Sequence, residues 1–282
     1  MFLDFFTLKV YTSLLAKMNE SIIEVTNLTK KFKDFTAVDN ISFTVPRGEI
    51  FAFLGPNGAG KTTTIKMLTT LLAPTSGTIL VDGHNAVTDQ HDVRQAFGIV
   101  FQDPSLEDEL TTYENMEFHG VLYSIPKKER QERIKVLLTF VELWDRKDSL
   151  VKTFSGGMKR RLEIARGLLH HPKIFFLDEP TQGLDPQTRN HIWHYLKNLS
   201  KEDGITIFFT THYLEEAQEY ADRIAIMDHG HIVTEGSVEN LLQQTKKNTL
   251  EEAFLSLTGS DIRDEAASGL EMMRRHRQMR GR

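Results

Sequence analysis

The 282-residue chain contains no cysteine, which excludes disulfides, thiol catalysis and a cysteine-ligated zinc centre. A reducing compartment is compatible with that absence. No apolar run reaches the ~18 residues that a membrane-spanning helix requires, so the chain is not expected to cross a bilayer itself. An excess of basic residues is also missing. With 34 basic and 39 acidic side chains, a formal charge of −5, the chain lacks the electrostatic footprint of a general nucleic-acid coat. There is no internal repeat, no low-complexity linker and no sustained heptad pattern. What is present is an ordinary globular composition, 40% hydrophobic and 26% charged, long enough to bury one large core or two smaller ones.

The two ends stand apart from the rest. Met1–Lys17 carries Leu3, Phe6, Val10 and Leu14 at helical spacing, apolar enough to lie on a membrane surface or dock on a partner. It lacks the basic start and small-residue cleavage site of a signal peptide, and Asp4 and Lys9 interrupt it. The plainer reading is that translation begins at Met18 and residues 1–17 are an extension dispensable to the core. At the other end, a charged tail from about Asp261 closes on the Arg-rich run 274–282, read as solvated.

From Ser21 onward, strand and helix patterns alternate. Ile22–Val25, Ile41–Val45 and Ile50–Leu54 read as strands, the last so uniformly apolar that it must be covered on both faces. Lys61–Thr70 has helical spacing, and Thr78–Val81 and Gly98–Phe101 are strands again. Residues 103–153 change character: Thr112–Tyr123 and Lys127–Leu143 are amphipathic helical stretches divided by Ile125-Pro126, with no strand between them. Alternation resumes with strands at Ile174–Leu177, Ile205–Thr210 and Arg223–Met227 and helices at Lys159–Leu169, Pro186–Leu199 and Leu214–Tyr220. The expected fold is therefore α/β with a helical insertion in its middle.

Three motifs carry chemistry. Gly55-Pro56-Asn57-Gly58-Ala59-Gly60-Lys61-Thr62-Thr63 lies between a buried strand and a helix, the context that a phosphate-binding P-loop requires. Glycines let successive N–H groups converge on one concave surface that the helix N-terminus makes more positive. Lys61 can then reach the β- and γ-phosphates, and the Thr62 hydroxyl can ligate Mg²⁺. The second motif, Ile174-Phe175-Phe176-Leu177-Asp178-Glu179, delivers two carboxylates at the C-terminal end of a central strand, where α/β sheets bind ligands. Asp178 is placed for the metal shell and Glu179 as general base for an attacking water. The third, Ser155-Gly156-Gly157 at the start of a helical run, taken alone reads as an N-cap; the same arrangement offers a hydroxyl and free N–H groups to a phosphate.

Together these motifs resemble the nucleotide-binding subunits of ABC transporters from about Ile22 to Gly236, in the order that family keeps. The resemblance implies a P-loop NTPase core of mainly parallel sheet with an antiparallel β subdomain and a helical insertion. The divisions it suggests are an extension over 1–17, an α/β core over 18–102 and 157–245, a helical subdomain over 103–156 and a C-terminal extension over 246–282. It implies further site residues: Phe32 stacking on adenine, Gln102 as the glutamine that meets metal and water, Ser155 and Gly157 as phosphate contacts, Asp185 of the Gly183-Leu184-Asp185 D-loop among the nucleotide-binding residues, and His212 as a switch histidine. Thr62, Gln102 and Asp178 would hold Mg²⁺, and ATP would be the nucleotide.

The signature departs from the family's commonest form, with Phe154 and Met158 in place of leucine and glutamine. The aromatic-Ser-Gly-Gly-Met form, and Leu250–Gly259 after it, resemble the branch that exports drugs, polyketides and glycans, including daunorubicin-resistance proteins. The tail is also too short for the regulatory barrel of several sugar-importer ATPases, so export is the expected direction. One P-loop and one Ser-Gly-Gly per chain imply a head-to-tail pair, with a second copy or a closely related ATPase, each chain roofing the other's ATP. The expected setting is the cytoplasmic face of the cell membrane, against a separate integral permease and without nucleic acid. The rival reading is a soluble ABC-type ATPase of chromosomes or ribosomes. Those relatives normally join two such domains, insert a long coiled coil or bind zinc, and none of these features is found here.

Overall fold

The computed structural model describes residues 20–102 and 105–259; the expected extension over 1–17 and the tail from Asp261 lie outside them. The chain opens with a long hairpin of β1 (Ser21–Phe32) and β2 (Phe35–Pro46), the latter alternating buried and exposed residues from Ile41 to Val45. Strand β3 (Ile50–Leu54) follows, and its five residues are all buried. It leads through a tight loop into helix α1 (Lys61–Leu68). Next come β4 (Ser76–Val81), β5 (His84–Asn85), α2 (Gln90–Ala96) and β6 (Phe97–Val100). The helical insertion contains α3 (Thr112–Leu122) and α4 (Lys127–Phe140), after which α5 (Gly156–Leu168) returns to the sheet. The remaining elements are β7 (Ile174–Asp178), α6 (Pro186–Asp203), β8 (Thr206–Thr211), α7 (Leu214–Tyr220), β9 (Arg223–Asp228), β10 (His231–Gly236), α8 (Val238–Thr245) and α9 (Leu250–Thr258).

These strands form two sheets. One is antiparallel, in the order β2-β1-β4-β5; the other runs β10-β9-β3-β8-β7-β6, with β10 antiparallel to β9 and the other neighbours parallel. Every residue of β3, β7 and β8 is buried, as strands covered on both faces must be. A block of phenylalanines joins the two sheets. The ring of Phe43 on β2 lies 5.8 Å from Phe51 and 5.1 Å from Phe53, and Phe53 meets Phe208 edge-on at 4.9 Å. Trp193 of α6 seals the opposite face of the larger sheet, stacked on Tyr220 at 4.8 Å and edge-on to Phe209 at 4.6 Å.

The structure departs from the sequence pattern where the backbone breaks its period. The strands expected at 22–25 and 41–45 extend well beyond those limits, because Asn27 and Asn40, both at φ 51°, introduce irregularities that a period-two window does not follow. The helix expected to reach Thr70 ends at Leu68, and the one expected to reach Leu143 ends at Phe140; left-handed Thr70 and Glu142 turn the chain out of each. The helical run anticipated from Lys159 begins at Gly156, capped by the Ser155 side chain. Helix α2, strand β10 and helix α8 carried no pattern strong enough to read: they are short, and β10 is a polar edge strand.

One close approach sets where α5 lies. A Cβ on Gly98 of β6 would stand 2.1 Å from the Gly167 carbonyl oxygen, and one on Gly167 would stand 2.7 Å from the Phe175 ring. Two glycines thus let helix and sheet meet closer than any side chain allows. Gly98→Ala is therefore expected to push α5 off β6 and to lower stability by about 1–3 kcal/mol, the usual cost of overpacking. Urea denaturation checks this; an unchanged midpoint would show that α5 tolerates the displacement.

Candidate active site

The C-terminal ends of β3, β7 and β8 reach a common edge, and the three loops leaving them supply most of the sequence-predicted residues. After β3, Gly55 and Gly60 are dictated by space. A Cβ on Gly55 would lie 2.3 Å from the Met227 oxygen, and Gly60, at φ 106°, would place one 2.6 Å from the Ala37 oxygen. Pro56, Asn57 and Gly58 line the open side of this loop, while Ala59 is buried and its amide donates to the Pro56 oxygen at 3.2 Å. The Lys61 ammonium turns back inside, donating to the Gly55 oxygen at 2.7 Å and the Pro56 oxygen at 3.1 Å. Burial holds its pKa below the ordinary lysine range, while the Glu179 and Asp178 carboxylates act in the opposite direction. Thr62 and Thr63 follow in the first turn of α1, both half-buried.

Asp178 is fully buried at the end of β7. Its Oδ1 accepts hydrogen bonds from the Thr62 hydroxyl at 3.2 Å and the Thr210 hydroxyl at 2.6 Å. A hydroxyl and a carboxylate, with no cluster of three His, Cys, Asp or Glu among the described residues, form an oxygen donor set that suits a Mg²⁺ ion completed by substrate phosphates and water. The next residue, Glu179, adopts the left-handed region at φ 50°, uncommon for a side chain of that size. Its amide donates to the Thr210 carbonyl at 3.2 Å and the Thr210 hydroxyl at 3.1 Å. His212, just beyond β8, places Nδ1 3.2 Å from Glu179 Oε1, within ion-pair range but without hydrogen-bond alignment. Gln102, exposed past β6, donates through Nε2 to Gln182 Oε1 at 3.4 Å, and the Gln182 amide in turn donates to the Glu179 oxygen at 3.3 Å.

The remaining predicted residues lie elsewhere. Ser155 accepts a hydrogen bond from the Met158 amide at 3.3 Å, so it caps α5. Gly156 faces open space, and a Cβ on Gly157 would stand 3.4 Å from Leu184 Cδ2. The residue after Leu184, Asp185, caps α6 by accepting from the Thr188 amide at 2.9 Å and the Thr188 hydroxyl at 2.6 Å. Those two bonds hold the Asp185 carboxyl below the usual carboxylate range. Phe32 sits exposed at the end of β1, with the Lys30 ammonium 5.1 Å from its ring centre.

Sequence reading missed four supports of this site. Thr210 ties Asp178 to the Glu179 amide, and the polar Thr210-Thr211 pair ending an apolar strand was its available signal. Glu216 is buried, taking hydrogen bonds from the Thr181 and Thr211 hydroxyls and so bracing the turn that carries His212; a carboxylate one turn into a helix gave no warning. Arg160 and Glu163 are buried charges within the otherwise apolar side of α5, a mismatch visible in the helical pattern.

The profile of the ABC transporter family matches residues 38–182. The chain is 42% identical over 228 residues to the daunorubicin/doxorubicin resistance ATP-binding protein DrrA of Streptomyces peucetius, covering 81% of this chain and 69% of that protein. It is 39% identical over 243 residues to the linearmycin resistance ATP-binding protein LnrL of Bacillus subtilis, covering 86% and 76%. Among solved structures, the ATP-binding subunit of an ABC transporter superposes with a TM-score of 0.79 at 30% identity, over 84% of this chain and 99% of that one. A dimeric ATP-binding cassette in a post-hydrolysis state, bound to ADP and Pi, superposes with a TM-score of 0.71 at 30% identity, over 76% and 98%.

Thr210→Val keeps the shape and burial of the side chain and removes the hydroxyl shared by Asp178 and Glu179. A loss of about 1–3 kcal/mol in denaturant unfolding is expected, because the Asp178 carboxylate stays buried with one donor fewer. Wild-type stability would show that the hydroxyl is dispensable to the carboxylate.

Proposed function

Because this chain belongs to the ABC transporter family, as an ATP-binding and ATP-hydrolysing subunit of the exporter type, we propose that it drives efflux through a separate integral permease on the cytoplasmic face of the membrane. The single observation that carries the reading is the 3.2 Å contact between Thr62 and Asp178, which brings a phosphate loop and an acidic strand end, far apart in sequence, onto one point. The relatives named as resistance ATP-binding proteins favour drug-like cargo and outward transport.

The division of labour we infer follows from the geometry. The amides of Gly55–Thr63 cradle the phosphates, and Lys61 exchanges its two carbonyl partners for phosphate oxygens. Thr62 and Asp178, joined at 3.2 Å, would hold a Mg²⁺ ion with Gln102 as a further donor, and the ion would supply charge neutralisation at the phosphates. Glu179 accepts the proton of the attacking water, and His212, 3.2 Å away, steadies that carboxylate. Phe32 stacks on adenine through an exposed ring. Gly157 lies against the Leu184 side chain, next in sequence to Asp185, and an added Cβ on Gly156 would meet only open space. In this reading a second copy, or a closely related ATPase, presents its nucleotide there, head to tail, and ATP joins the two chains. The helical subdomain proposed over 103–156 passes the motion to the permease; α5 runs across its far boundary, so that helix belongs physically to both parts.

Two variants test this. Glu179→Gln keeps the shape of the side chain and removes the proton acceptor, so ATP binding should persist while hydrolysis slows by about 10²–10⁴-fold. Light scattering should then show an ATP-trapped mass twice that of the free chain; wild-type turnover would reduce Glu179 to a turn residue. Gly157→Asp sets a negative charge against the partner's phosphate. Its own loop should still bind ATP, with neither dimerisation nor hydrolysis, whereas normal ATP-driven dimerisation of the folded variant would leave Ser155–Gly157 as a helix cap alone.

A further inference from the structure

Helix α5 carries two charges where its amphipathic pattern calls for apolar residues. Arg160 is 5% exposed and Glu163 is 1% exposed. Burial pushes the Arg160 pKa down and the Glu163 pKa up, so neither ion gains from its position as such. A buried ion pair is commonly no more stabilising than apolar residues of the same volume. Stability is therefore a poor account of the pair, and its hydrogen bonds give a better one.

Arg160 donates through one guanidinium nitrogen to the Phe101 carbonyl, just past β6 and immediately before Gln102. Through the other it donates to the Glu179 carbonyl at 2.9 Å, with the Asp178 carbonyl 3.5 Å away. Glu163 stands 3.5 Å from the same guanidinium and accepts from the Ser105 amide at 2.7 Å. Arg166, further along the same helix, donates to the Ser105 carbonyl at 2.7 Å. One side of α5 thus grips the chain at Phe101 and at Ser105 and reaches across to the peptide that follows Glu179.

Glu179 is a non-glycine residue at φ 50°, a strained conformation that must be held by its surroundings. On its N-terminal side the amide is fixed by Thr210. On its C-terminal side, apart from the longer Gln182 contact, the carbonyl is fixed by Arg160. With both flanking peptides held, the Cα–Cβ direction of Glu179 is set, and with it the approach of the carboxylate to His212. We propose that Arg160, balanced by Glu163, is a positioning residue that sets the Glu179 backbone and aims its carboxylate, linking α5 to the site of hydrolysis. The inference rests on the reading of Glu179 as the base. Because Ser155 caps α5 and its first turn starts at Gly156, a shift of that turn reaches Glu179 through the same guanidinium.

The test uses the full chain and four substitutions. Arg160→Met removes the donors. Arg160→Met/Glu163→Gln removes them without leaving an unpaired buried carboxylate. Arg160→Lys retains charge and a single donor, and carries the test should the neutral variants fail to fold. Glu179→Gln is the background in which Arg160→Met is repeated. For the Met variants, kcat should fall about 10–100-fold while the ATP dissociation constant stays within about two-fold, since misaiming a reacting group by ~1 Å costs rate rather than ground-state binding. Arg160→Lys should fall between these and wild type. In Glu179→Gln, adding Arg160→Met should cause no further loss, because there is no base left to aim. Unchanged kcat in the folded variants overturns the proposal, and so does an equal fold-loss in both backgrounds or a parallel loss of ATP affinity. Wild-type turnover in Glu179→Gln alone removes the base reading itself; slow Glu179→Gln with normal Arg160 variants removes only the positioning role.

Discussion

Leu54 pairs with Thr211 on one side of β8, and Asp178 pairs with Thr210 on the other, so three parallel strands end at one level. Parallel pairing requires each connection to cross back over a face of the sheet, and the helices that do so bury the strands on both sides. Polar groups survive in such a layer only at its edge or when fully paired. The chemistry therefore collects where β3, β7 and β8 stop. The glycine-rich loop leaves β3 there, β7 delivers Asp178 and Glu179, and β8 delivers Thr210 and then His212.

Burial makes this edge rigid. Asp178 is almost without solvent contact, yet two hydroxyls reach its Oδ1. Glu216 is held in the same way behind the His212 turn. Each of these carboxylates is costly to bury and cheap to keep once bonded, so each has one geometry that the surroundings reward. The left-handed Glu179 belongs to this pattern: its strain persists because its amide and carbonyl are both occupied.

In the proposed mechanism, helix α5 joins the two halves. Its first turn presents Ser155, Gly156 and Gly157, its middle reaches Glu179 through Arg160, and its Gly167 is pressed against Gly98 of β6. A rigid rod in close contact with the sheet transmits a displacement rather than absorbing it. In that proposal the glycine contact and the buried ion pair act together, the first fixing how near the helix lies and the second fixing what it holds.

From the sequence alone, the phosphate loop, the strand ending in Asp178-Glu179 and the Ser-Gly-Gly turn could each be read, because each depends on residue types at short spacing. The alternation of buried strands with amphipathic helices likewise gave the α/β class, since period-two and period-3.6 patterns are local. Irregular strands were legible only in part: Asn27 and Asn40 break the alternation through backbone angles that a hydrophobic pattern does not record. What the tertiary structure decided is which distant residues meet. Thr62 and Asp178 are 116 positions apart, and His212 is brought to Glu179 by the order of strands in the sheet. Arg160 and Glu163 stand on the buried side of their helix, where the carbonyls of Phe101 and Glu179 and the amide of Ser105 pair with them. A one-dimensional pattern specifies which face of an element is buried, but the backbone groups that pair with a buried charge come from other strands, and only folding brings them within reach.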